Sequence, residues 1–294
     1  MPKFYTFMFF FSLALVIAAV VVTGMWGLRL GTDFKGGTIW EVQFTNTRPD
    51  AVAIKTELAQ TSKLEDANVS PVGDNGAIIR FKEINETQHQ ALLVDFQKKF
   101  GTVKEQRFSS IGSVVGSELK TKSIQAIVIV LLLITAYIAI VFRKLSRSLS
   151  SWSMGVSAII ALLHDLIIPI GIFALLGHFY NIEISAVFVA AALTILGFSV
   201  SDTVVIFDRV RENLLRFGSK DGLGAVVHRS VMETLMRSLN TTLTVLLTLA
   251  AIYIWGGESI RYFSLALILG FFLGSYSSIF VASPLLVWWN RKHV

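Results

Sequence analysis

Four residues of this 294-residue chain carry polar chemistry within, or at the edge of, stretches apolar enough to cross a bilayer: His164, Asp165, Asp202 and Arg237. A carboxylate at membrane depth costs about 2.5–3.5 kcal/mol on insertion scales, so such residues face a bundle interior or a wet path. Asp202 stands near the end of one apolar run, just before Asp208, Arg209, Arg211 and Glu212 mark the return to water. Two roles fit it: a cap or headgroup-level charge at a helix end, or a buried group that titrates or pairs during a work cycle. His164 and Asp165 fall near the middle of another run. Adjacent helical residues point about 100° apart, so the two need not act as one pair. They fit either a proton relay or a hydrogen-bonded structural lock. Arg237 opens a run that continues Asn240, Thr241, Thr242 and Thr244. Alone it would snorkel to the headgroups. Asp202 lies about one turn inside the same boundary, however, and pairing would lower the cost of both charges.

These residues need a membrane bundle to position them, and the composition supplies one. The chain is 53% hydrophobic and only 16% charged, with a mean hydropathy of +0.64; soluble domains are near 25% charged. Apolar runs occupy residues 4–22, 124–142, 154–176, 184–206, 239–255 and 263–289, each able to span the hydrocarbon core. The first is longer than a signal-peptide core and lacks an A-x-A site, so it reads as a spanning helix. The net charge of +6 gathers in short stretches beside these runs, among them Arg143, Lys144 and Arg147, then Arg209 to Arg237 including Lys220, then Arg291 and Lys292. That distribution is the positive-inside pattern and implies no nucleic-acid partner. It places both termini inside and residues 24–122 outside. With no cysteine, disulfides and thiolate metal sites or nucleophiles are excluded. The five histidines show no metal-ligand spacing. No nucleophile–base set or dinucleotide motif stands out, so neither enzyme activity nor a cofactor is expected.

The expected division is residues 1–23 as the first helix, 24–122 as an external domain, and 123–294 as helices two to six. Within the external part, 38–44 alternates as a strand, 49–61 reads as a helix and 68–72 as a strand. Asp74-Asn75-Gly76 supplies a hairpin turn into strand 77–82. Residues 86–100 form a helix with Asn85 as cap and Gly101 as stop, and 102–109 closes as a strand. The order βαββαβ is ferredoxin-like. Segment 208–238 is expected as an interfacial piece on the inner side, contacting lipid headgroups and broken at Gly218, Gly222 and Gly224. Thr194, Gly197 and Ser201 give the fourth helix a small face for close helix approach. Gly270 and Gly274 give the sixth a G-x-x-x-G, extended by Ser275, Ser277 and Ser278.

Several motifs resemble one family. They are Gly31-Thr-Asp-Phe-Lys-Gly-Gly-Thr38, with Asp33, Gly36 and Gly37; Ile111-Gly-Ser-Val-Val-Gly-Ser-Glu-Leu119; Leu163-His-Asp165; the run from Gly197 through Asp202 to Asn213; and Tyr276-Ser-Ser-Ile-Phe-Val-Ala-Ser-Pro284. In order and spacing the chain resembles the SecF family, the smaller subunits of the bacterial SecD–SecF complex, related to the resistance-nodulation-division transporters. The resemblance implies a multi-pass protein of the bacterial cytoplasmic (inner) membrane with a periplasmic domain. It implies use of the proton motive force to help unfolded preproteins leave the SecYEG translocon, with a SecD subunit as a separate partner. The family's fourth-helix acid falls on Asp202, and its fifth-helix arginine falls on Arg237. Two rival readings are half of a proton-driven small-molecule exporter and a passive scaffold. An exporter would need a large pocket between external subdomains, whereas residues 24–122 make one small domain. A scaffold would tolerate Asp202→Asn.

Overall fold

The computed structural model describes residues 1–62, 64, 66–141, 151–218 and 222–290. Arg143, Lys144, Arg147, Lys220, Arg291 and Lys292, used above for orientation, lie outside the described residues. The chain divides into two compact units, Leu30–Ile124 and Met1–Arg29 with Gln125–Val294.

The first unit is an antiparallel sheet of β1 (Gly37–Phe44), β2 (Asn68–Val72), β3 (Gly76–Phe81) and β4 (Val103–Ile111), in the order β2-β3-β1-β4. With α3 (Ala51–Ser62) and α4 (Glu86–Phe100) between them, the strands form the expected ferredoxin-like split βαβ arrangement. Period-two alternation turns Trp40, Val42 and Phe44 inward, where they are buried with Ile54 and Leu58 of α3 and Leu92 and Phe96 of α4. Helix α4 starts where the sequence dictates. Asn85 accepts from the Gln88 backbone N–H at 2.9 Å and Gln88 reciprocates at 3.0 Å, a capping box, while Gly101 ends the helix at φ +80°. Inside the sheet, the Glu105 carboxylate accepts from the Trp40 indole and bonds the buried His89 ring, both at 2.6 Å.

The second unit holds six helices long and apolar enough to span a membrane, among the described residues. They are α1 (Lys3–Trp26), α5 (Ser113–Val141, of which Ser113–Ile124 belong to the first unit), α6 (Ser151–Tyr180), α7 (Ala186–Phe217), α8 (Leu223–Trp255), and the compound helix α9 (Glu258–Ser277), π-turn (Ser278–Ala282) and α10 (Ser283–Trp289). Helices α6, α7 and α9–α10 are the most buried; α1, α5 and α8 surround them with their outer faces apolar and exposed. The π-turn has a local cause. Pro284 has no N–H to offer the carbonyl of residue 280 and its ring crowds that carbonyl, so the helix absorbs one extra residue. Ser283 Oγ bonds the Ser278 carbonyl at 2.8 Å across it.

One expectation needs correction. Segment 208–238 is not a separate interfacial piece: residues 208–217 continue α7 and 223–238 begin α8, with the break at Gly218 and Gly222, both at positive φ. Its apolar residues Val210, Leu214, Val226, Val227 and Val231 join a core with Tyr5, Ile206 and Leu286. Asn213 Nδ2 donates to Ser230 and Glu233, each at 2.9 Å, and Arg209 Nε to Glu233 at 2.6 Å. These cross-links join the two helices, and the buried part of the apolar stripe packs within the bundle while Leu215 and Met232 stay exposed. Gly224, expected as a third break, is helical and lies against Met1, where a Cβ would approach its nitrogen to 2.6 Å.

Candidate functional site

Three spanning helices converge on Asp165, which has no solvent exposure. Its Oδ2 accepts from Ser199 Oγ of α7 at 2.5 Å and from Ser277 Oγ of α9 at 2.7 Å; its Oδ1 meets His164 Nδ1 at 2.8 Å. His164 and Asp165 are therefore bonded to each other, despite their 100° offset. A carboxylate held by three donors is the condition under which a buried acid is tolerated. The other imidazole nitrogen, His164 Nε2, is buried and has no hydrogen-bond partner. The His164 ring lies 6.1 Å from that of Tyr276. The Tyr276 hydroxyl accepts from Ser12 at 3.0 Å and donates to the Met8 carbonyl at 2.9 Å, tying α9 to α1.

Asp202 is partly buried, one helix over. Ser238 Oγ of α8 donates to its Oδ2 and also lies 3.2 Å from Ser275 Oγ of α9. Ser278 is a further neighbour of the carboxyl. Arg237, expected here, is exposed and makes no ion pair with Asp202 among the described residues. Residue 238 lies about 100° round the helix from 237; the serine bonds the acid directly, while Arg237 stays beyond ion-pair distance but within electrostatic reach of the carboxyl. Sequence reading missed Ser199 and Ser238. Both stand within an apolar helix, one facing each acid. Ser275, Ser277 and Ser278, noted only for their size, turn out to serve both carboxyls from one short stretch of α9.

The helix-packing residues divide. A Cβ at Gly270 would lie 2.2 Å from the Ile195 side chain and one at Gly274 3.1 Å from Ser199 Cβ, so these glycines let α9 approach α7 closely. Gly197 has nothing within 4 Å, and Thr194 and Ser201 are exposed with it. The face of α7 that packs is that of Ile195 and Ser199, not Thr194, Gly197 and Ser201. In the other unit, Gly31 precedes a short helix α2 (Thr32–Lys35) that carries Asp33 in its first turn and buries Phe34. Gly36 and Gly37 have φ of +79° and +128°. A Cβ on Gly36 would strike the Ser113 backbone at 2.6 Å, and one on Gly116 the Gly36 nitrogen at 2.8 Å. The two glycine motifs thus dock backbone to backbone. No cluster of three His, Asp or Glu able to hold a metal occurs among the described residues.

Comparison with known proteins agrees with this architecture. Residues 92–292 match the family described as protein export membrane protein SecD/SecF, C-terminal. Protein translocase subunit SecF of Thermobaculum terrenum is 42% identical over 96% of this chain and 90% of its own length. That of Anaerolinea thermophila is 36% identical over 96% and 91%. SecDF of Brucella abortus is 34% identical over 94% of this chain, which covers 36% of that longer protein. The crystal structure of SecDF, a translocon-associated membrane protein from Thermus, superposes with a TM-score of 0.84 at 29% identity, over 98% of this chain and 38% of that one. The fold and the matches define a SecD/SecF-type protein-export membrane protein. Within that class, the chain belongs to the SecF family of protein translocase subunits.

Proposed function

We propose that this translocase subunit couples proton movement to preprotein export, working with a SecD partner beside the SecYEG translocon. Both termini would lie in the cytoplasm, the unit Leu30–Ile124 in the periplasm, and the membrane would be the bacterial inner membrane. The observation that carries this reading is the pair of membrane acids served by one serine-bearing stretch of α9: Ser277 on Asp165, and Ser275 and Ser278 beside Asp202. A change of protonation at either acid alters what the same helix segment bonds.

Arg237 enters this scheme through geometry. Rotating α8 by one residue step, about 100°, would exchange Ser238 for Arg237 at the Asp202 carboxyl. Ser238 donates to the carboxyl here and can accept instead when Asp202 is protonated, whereas a guanidinium only donates and suits the ionised acid alone, so loading and release of the proton favour different helix orientations. His164, with its free nitrogen, would pass protons to or from Asp165. Moving one charge through 100 mV supplies about 2.3 kcal/mol, so several protons suffice to drive a domain motion against emerging unfolded polypeptide. Solved SecDF also occurs in a Super-membrane-facing form, which fits this chain with a lower TM-score of 0.68 over the same 98% coverage, and that supports an architecture with more than one arrangement.

The test is export into inverted membrane vesicles with and without a proton gradient, at equal expression and with SecD present. Asp202→Asn keeps size and hydrogen bonding but cannot titrate, and is expected to abolish the gradient's effect while leaving insertion and SecD association intact. Asp202→Glu is expected to retain part of it, and Arg237→Gln to impair it. A full gradient response in Asp202→Asn would make that acid structural and leave Asp165 as the coupling group.

A further inference from the structure

Two buried polar atoms of α6, His164 Nε2 and Ser157 Oγ, have no hydrogen-bond partner among the described residues. Neither neighbourhood accounts for its orphan. A lone hydroxyl in an apolar helix commonly bonds back to the carbonyl one turn earlier, as Thr135, Thr194 and Ser264 do in this bundle. Ser157, with no solvent exposure, makes no such bond. Beside His164, the Tyr276 hydroxyl is engaged by Ser12 and Met8. The two orphans are also complementary. With Nδ1–H donating to an ionised Asp165, Nε2 carries a lone pair and needs a donor, which a hydroxyl can be.

Seven residues fall within about 20° of two full turns, so Ser157 and His164 share a face and stand roughly 10.5 Å apart along the axis. Between them on that face is Ala161, fully buried and contributing one methyl. Less the reach of an imidazole, the gap matches one or two water molecules at about 2.8 Å per hydrogen bond, with a polar atom to hold them at each end. One turn before Ser157 the same face carries the buried Ser153, whose Oγ accepts from the buried Asn290 Nδ2 at 2.8 Å. Beyond His164 the face continues as Ile168, Gly171 and Leu175, which offer no side-chain donor or acceptor. The polar line therefore leads one way, to the end at which α6 begins, the cytoplasmic end in the topology proposed above.

We propose that Ser157 is a positioning residue for proton transfer, holding a short water chain against His164 Nε2 through which the Asp165 cluster exchanges protons with the cytoplasmic side. The inference rests on the proton-coupled reading above and adds a route and a direction to it. The step balances within the ring. A protonated Asp165 gives its proton to Nδ1, and the proton on Nε2 passes to the first water. One N–H bond forms and one breaks. The imidazole ends neutral, and the acid is left ionised against an Nδ1–H, which fits their 2.8 Å contact. The hydrogen bond to Ser157 fixes the water chain where Nε2 can reach it.

Threonine and valine at position 157 share a shape and differ only in the hydroxyl, so they separate a water-positioning role from a packing one. In inverted vesicles containing SecD at equal expression, Ser157→Thr is expected to keep the gradient's effect on export within about twofold. Ser157→Val is expected to cut it about tenfold, the factor for one hydrogen bond of ordinary strength. Packing alone predicts the opposite order, since valine removes an unmatched buried hydroxyl. Solid-state nitrogen NMR of the histidine-labelled full chain in bilayers gives a readout independent of export. A water-proton contact at Nε2, assigned by its loss in His164→Gln, is expected in wild type and Ser157→Thr and absent from Ser157→Val. No such contact in wild type overturns the inference, whether or not the valine variant folds. Equal export by the two variants, with the wild-type response to the gradient intact, also overturns it. A wild-type chain blind to the gradient overturns the coupled reading, and the route with it.

Discussion

At Asp165 the hydrogen-bond inventory is closed on one side and open on the other: three donors on the carboxyl, and none on His164 Nε2. Removing the acid strands the Ser199 and His164 donors where water does not reach, while Ser277 keeps only the Gly274 carbonyl at 3.2 Å. Asp165→Ala is therefore expected to destabilise the bundle by about 3–5 kcal/mol, the usual cost of breaking a buried polar set from one side. Asp165→Asn, which still accepts, should cost clearly less. The thermal midpoint in detergent separates them, and equal losses would mean that packing, not bonding, sets the stability here. The soluble unit has its own counterpart in Glu105, which serves Trp40 and His89 together; Glu105→Ala should cost that unit about 1–3 kcal/mol by leaving buried donors unmet. At the start of α4, the Gln90 amide bonds Glu86 at 2.6 Å and holds its carboxyl below the usual range. A depressed carboxyl stabilises the fold above its unfolded pKa, and that contribution fades as pH falls through the lower folded value.

Among the elements, two glycines on facing helices give a matched comparison. Gly270→Ala drives a methyl into Ile195 and should destabilise the α7–α9 contact by about 1–3 kcal/mol. Gly197→Ala meets empty space and should be neutral or slightly stabilising, since alanine is the better helix former. Unfolding midpoints of the two variants check this, and a loss at Gly197 as large as at Gly270 would sink the assignment of the packed face. The comparison also shows how far the sequence could be read. Local rules sufficed where the signal is local: Asn85, Gln88 and Gly101 bound α4 without help from the rest of the chain, and alternation alone turned Trp40 and Phe44 inward. Faces of membrane helices carry no such signal, because lipid and protein neighbours are equally apolar. Gly197 and Ser201 thus looked as suitable as Ile195 and Ser199, and nothing in the sequence marked Ser238 as the side chain bonded to Asp202. The charges from Asp208 to Glu212 similarly suggested an end to α7, although Asn213, Ser230 and Glu233 carry it onward through side-chain bonds that only the folded pair creates.

For the whole molecule, the absence of cysteine makes orientation directly measurable. A cysteine at Asn75, in the β2–β3 turn, should react with a reagent confined to the outer face, and one at Arg216, near the end of α7, should not; the opposite pattern would invert the proposed topology. Gly37→Val should impair export while the protein still reaches the membrane, because its φ of +128° and the Phe81 carbonyl 2.8 Å away leave no room for a side chain. Unaltered export would reduce Gly36-Gly37 to a linker. The backbone contact between Gly36 and Gly116 has one more consequence. The sheet-bearing segment leaves and rejoins the chain at touching points, like a loop drawn through a clasp. A clasped insert can be lengthened, trimmed or exchanged without pulling its two stems apart, so a short bridge across residues 38–110 should preserve the six helices while deleting whatever the insert grips.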